Sequence, residues 1–74
     1  MDKYQLVITL LESGKMYYLV PFPKNKYQEA ENYLEEIAVA NYVTFICEDG
    51  AQVLLREYLL NRSVIEIRKV EEKC

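Results

Sequence analysis

The sequence predicts an α+β domain, a single antiparallel-rich sheet with one main helix in the order β-β-α-β-β-β. Three observations predict it. Runs of branched and aromatic residues with two-residue alternation open and close the chain. A central stretch switches to apolar spacing of three to four residues. Glycine-bearing turn signals, Ser13-Gly14 and Asp49-Gly50, separate neighbouring runs at hairpin distance. The 74 residues are one domain, 1–74, with a polar tail over 71–74.

Residues 4–12 form the first strand, with Tyr4, Leu6, Ile8 and Leu10 on one face and Gln5, Val7, Thr9 and Leu11 on the other. Ser13-Gly14 turns the chain, and residues 16–20 return as the second strand. Pro21-Phe22-Pro23 ends that hairpin, because proline fixes φ and lacks an N–H donor. Asn25 and Gln28 have the spacing of a capping box. A helix follows over roughly residues 26–40, within a boundary error of about 2–4 residues. Its stripe at three-to-four-residue spacing holds Tyr27, Ala30, Leu34, Ile37, Ala38 and Asn41. Its polar side carries Glu29, Glu31, Asn32, Glu35 and Glu36.

Residues 42–47 read as a strand, and Glu48-Asp49-Gly50 as a tight turn. The stretch from Ala51 to Arg62 has two readings. Ala51, Leu54, Leu55, Tyr58 and Leu59 fit a helix capped by Asp49, giving β-β-α-β-α-β. Gln52 to Arg56 equally fit the return arm of a hairpin, with a helical turn at Glu57–Asn61. Residues 64–70 then alternate as a last strand with one wet face.

Val53-Leu54-Leu55, then Leu59, then Ser63-Val64-Ile65-Glu66-Ile67-Arg68 resemble the C-terminal half of many small, uncharacterised proteins of Gram-positive bacteria and their phages. That resemblance covers the last third of the chain and implies strand, short turn, strand, which favours the hairpin reading. Leu10-Leu11, Gly14-Lys15 and Tyr17-Tyr18 look like the first hairpin of the small phage inhibitors of uracil-DNA glycosylase. The likeness spans under a third of the chain. This sequence departs from it by an extra hairpin at 43–56, and no inhibitor contact residue carries over.

Composition narrows the chemistry. The chain has no histidine, which removes Ser-His-Asp and Cys-His machinery, histidine zinc sites and the usual proton shuttle near neutral pH. Two distant cysteines, Cys47 and Cys74, cannot build a four-cysteine metal site. Cys47 reads as a small buried hydrophobe and Cys74 as an exposed free thiol, with a Cys47–Cys74 disulfide as the alternative that a reducing compartment disfavours. There is no glycine-rich phosphate loop and no nucleophile beside a base, so no enzyme activity, cofactor or metal is expected. No apolar run approaches the length of a membrane span, and the N-terminus lacks the pattern of a secretion signal. A cytoplasmic protein, of a bacterium or a phage-infected host cell, is the expectation.

The net charge of −3 conceals segregation. Residues 1–26 sum to +2, residues 27–55 to −6 with no Lys or Arg, and residues 56–74 to +1. The acidic block reads in one of two ways. It is a solvated face that keeps a small domain soluble, or it is a patch that meets a basic surface on another protein. On the second reading the partner-binding residues are Glu29, Tyr33, Glu35, Glu36, Glu48 and Asp49. The carboxylates then imitate a nucleic-acid backbone, and Tyr33 stands in the place of a stacking group.

Seven tyrosines either fill a small core with wet hydroxyls or mark an interface, where tyrosine is enriched. Both faces of the first strand are largely apolar, and one helix cannot cover both sides of a five-stranded sheet. Either the sheet curls on itself, or a partner or second copy covers the remaining face. The functional expectation is a protein-binding module. The kind is a small phage-type inhibitor or regulator of a host defence or nucleic-acid enzyme, of anti-CRISPR or DNA-mimic character. A second expectation is nucleic-acid binding through exposed sheet tyrosines flanked by Lys3, Lys15, Lys24, Lys26, Arg56, Arg68 and Lys69. The net charge opposes it, because affinity for phosphates comes mainly from Lys and Arg. A third is a structural subunit that oligomerises through strand edges.

Overall fold

Strand β1, Lys3–Leu10, is the axis of the fold. In the computed structural model, which describes residues 2–70, every residue of β1 pairs antiparallel with β6, Ser63–Val70. On its other edge β1 takes two short partners, β2 (Met16–Tyr18) and β3 (Phe22–Pro23). A second ladder joins β4 (Tyr42–Ile46) to β5 (Gln52–Arg56). The two ladders meet at a single antiparallel bridge, Leu19↔Cys47. Beside it the Glu48 N–H donates to the Tyr18 carbonyl over 2.9 Å. A 3-10 turn at Lys24–Lys26 and the main helix α1, Tyr27–Ala38, lead from β3 to β4. A single helical turn, α2, Glu57–Leu60, leads from β5 into β6. The chain is thus an α+β protein with an antiparallel sheet and one main helix. The stretch after Gly50 takes the strand-then-turn path rather than the helical one.

Local chemistry explains both hairpin turns. Gly14 and Gly50 have φ of 74° and 92°, and no other residue among those described has positive φ. Glycine alone enters that region without a Cβ penalty. At the first turn the Leu10 N–H donates to the Lys15 carbonyl, and the Gly14 N–H to the Leu10 carbonyl, each over 2.8 Å. At the second, Asp49 Oδ1 accepts from the Ala51 N–H at 3.0 Å. The Asp-Gly pair therefore acts as turn chemistry, not as a helix cap.

The start of α1 differs from the capping box expected at Asn25 and Gln28. Asn25 lies within the 3-10 turn, and neither that turn nor α1 has a side-chain cap. Gln28 instead turns along the helix and donates to Asn32 Oδ1 at 3.4 Å. The 3-10 turn starts the helical path one turn early, so Asn25 never takes the extended geometry that capping requires. Two short strand residues, Phe22 and Pro23, also pair where the prolines were expected only to end a hairpin. Pro23 pairs at the rim of the sheet, which tolerates a missing N–H.

The core lies between α1 and the inner sheet face. Leu6, Ile8 and Leu10 of β1 meet Leu19, Val43, Phe45, Cys47 and Leu55, with Ile37 of α1 above them. Tyr4 stacks edge-on against Tyr27, with centroids 5.0 Å apart, and Tyr17 does so against Phe45 at 5.7 Å. The outer face of β1 is closed by its own neighbours. Val7 is fully buried there and Gln5 is 8% exposed. The register places Val7 between Tyr18 and Glu66, and Gln5 beside Arg68. Arg68 pairs with Glu66 at 3.1 Å, and both side chains keep contact with water. Long side chains with apolar stems cover a strand face in this way. The second face of β1 is thus covered within the chain at Val7 and Gln5, while Tyr18, Val64 and Leu11 on the same side stay exposed.

Candidate partner-binding surface

A rotation of 100° per residue distributes the four helix glutamates around the outer arc of α1. Glu29 and Glu36 lie along one flank, in line with Tyr33. Glu31 and Glu35 lie along the other, one turn apart. Ala30 and Ile37 mark the buried side. All four carboxylates are exposed. Among the described residues only Lys26 approaches one of them, at 3.7 Å from Glu29 with both side chains in water. Such an exposed pair contributes under about 1 kcal/mol. No basic residue occupies the last helical turn, where a cation would suit the helix dipole. The arc is thus an anionic surface with little internal compensation.

Tyr33 occupies a different place from the one expected of a stacking group. It is half-buried against the core, and its hydroxyl donates to the Thr44 carbonyl at 3.4 Å. Burial, and then the charge of Glu36, push its hydroxyl pKa above the ordinary value. Tyr33 therefore joins α1 to β4.

Glu48 and Asp49 are exposed in the β4–β5 turn, at the other end of β4 from Tyr42. They belong to a second acidic group, on the β4–β5 turn and not on α1. Glu48 accepts from Gln5 Nε2 at 2.8 Å. Burial pushes the Cys47 thiol pKa up, and the charges of Asp49 and Glu48 push it further. Cys47 is a buried free thiol, and Cys74 lies outside the described residues. The polar tail 71–74 lies outside them as well. The six predicted residues thus form one group on α1 and one at a turn.

A further exposed apolar surface lies on the β4–β5 ladder. Tyr42, Ile46 and Leu54 stand out from the β4–β5 ladder, 63%, 56% and 49% exposed. The signal was present in residues 42–47, whose two alternating faces are both partly apolar. Only Val43, Phe45 and Cys47 can face one helix.

Several basic residues are engaged locally. Arg62 pairs with Glu12 at 2.7 Å, Arg68 with Glu66, and Lys69 with Asp2 at 3.5 Å. Lys15 lies over the ring of Tyr17, and Arg62 over that of Tyr58. Among the described residues no three His, Cys, Asp or Glu side chains gather as a metal-holding group. No described helix is long and apolar enough to cross a membrane. Comparison with known protein families, with curated proteins and with solved structures finds no significant match.

Proposed function

We propose that this chain is a non-enzymatic protein-binding module whose acidic α1 arc docks on a basic surface of another protein. One observation carries the reading. Glu29, Glu31, Glu35 and Glu36 share the outer arc of α1, and among the described residues only Lys26 approaches any of them. Carboxylates spaced along a rigid helix suit a surface built to hold phosphates. The partner class is therefore a nucleic-acid-processing enzyme, and the action is inhibition or regulation of the kind phages direct at host defence. Complementary charge of this sort sets partner choice and association rate more than final affinity.

Capture from bacterial lysate on the immobilised chain tests the reading, with Glu29→Lys, Glu35→Lys, Glu36→Lys combined in one variant run alongside. The expected result is a protein held by the original chain, released by salt and lost in the variant. Salt release follows from screening of exposed charges within about 10 Å at 0.1 M. Equal capture by both chains removes the acidic arc from the interface.

A further inference from the structure

We propose that a second copy of this chain docks on the outer face of the β4–β5 hairpin, across a two-fold axis. The hairpin register pairs Tyr42 with Arg56, Thr44 with Leu54, and Ile46 with Gln52. Alternation sends these six side chains to one side, and Val43, Phe45, Val53 and Leu55 to the core. The outer side is an apolar strip centred on Leu54, with Tyr42 and Ile46 at its corners.

The two ends of the strip differ in charge. Arg56 stands at one end, with the exposed Glu57 next to it in the same groove, and the two carboxylates of the Glu48–Asp49 turn stand at the other. Arg56, Glu48 and Asp49 enter no ion pair among the described residues, whereas Arg62, Arg68 and Lys69 all do. A strip with a cation at one end and carboxylates at the other complements itself. Two copies laid face to face with their strands antiparallel set each Arg56 against the other's acidic turn. That is the isologous arrangement of a two-fold dimer, in which one patch serves both subunits. It covers the apolar centre and offsets both charged ends together. It also leaves the α1 arc free, because α1 lies on the other side of the sheet. The strip is only five residues long on two strands, so association belongs to the weak, transient class.

Sedimentation equilibrium of the full chain, up to about 1 mM where weak association registers, is the test. The wild-type chain is expected to show a concentration-dependent monomer–dimer equilibrium. Leu54→Glu raises the dissociation constant by at least about tenfold, while Val64→Glu on the outer face of β6 leaves it unchanged. Arg56→Glu and the double variant Glu48→Lys, Asp49→Lys each set like charges together and are monomeric. Mixed, they restore the pairing as a heterodimer. Circular dichroism checks the fold of every variant, and the charge-swap mixture decides the matter even where Leu54→Glu does not fold. A wild-type chain that stays monomeric throughout overturns the proposal, including when this face binds some other protein. So does a dimer indifferent to Leu54→Glu and to the charge swap.

Discussion

The side-chain amide of Gln5 donates from Nε2 to Glu48 Oε2 over 2.8 Å, and from the same nitrogen to the Leu19 carbonyl over 2.8 Å. This buried amide spans the seam between the two ladders, beside the Leu19↔Cys47 bridge and the Glu48 N–H to Tyr18 carbonyl bond. Gln5→Ala is expected to destabilise the fold by about 1–3 kcal/mol, because it strands a carbonyl away from water. Glu48→Gln keeps an acceptor for the amide and is expected to cost less than about 1 kcal/mol. Urea midpoints at constant slope compare the two. Equal midpoints for Gln5→Ala and wild type contradict the role given to the seam.

Two valines provide a second comparison. Val7 is fully buried on the outer face of β1, and Val39 is 86% exposed after the last turn of α1. Deleting buried methyl groups removes transfer energy and leaves a cavity. Val7→Ala should therefore destabilise by roughly 1–3 kcal/mol. Val39→Ala should lie within about 0.5 kcal/mol of wild type. Similar small effects at both sites would show that Val7 is not covered by its own sheet, and would return that face to a partner.

Stability should decline at alkaline pH. The Cys47 thiol and the Tyr33 hydroxyl both have pKa values raised by burial from ordinary values of 9.0 and 10.0. Each group keeps its proton in the fold at pH values where the unfolded chain loses it. Its contribution is therefore complete below the ordinary value and is lost as pH rises through the folded one. Denaturant unfolding from pH 7 to pH 10 should show this fall, reduced in Cys47→Ala. The same slope in both proteins would assign the alkaline loss to other groups.

Much of the fold was legible in the chain because its signals are local. Alternation over residues 4–10, the period of Tyr27 to Ala38 and two glycine turns each depend on neighbours within one element. Residues 51–62 were ambiguous for a physical reason. Leu54 and Leu55 serve a helix stripe or a strand equally well, and the pairing of Leu55 with Val43 decides. The closure of Val7 and the split of the sheet at Leu19 depend on residues far apart in sequence, which periodicity does not reach. The acidic block was visible as a run of charge. Its division into an α1 arc and a turn is a property of the folded chain. Tyr33, which the sequence sets in the place of a stacking group, donates its hydroxyl to the Thr44 carbonyl.

The location of the interface can be measured by photo-crosslinking in bacterial lysate from single positions. A crosslinker at Glu35 sits on the outer arc of α1, and one at Val64 sits on the outer face of β6. The expected result is one protein conjugated from position 35 and released from it by added salt, with no conjugate from position 64. Conjugation of that protein from position 64 but not from position 35 would contradict an acidic helix face as the binding surface.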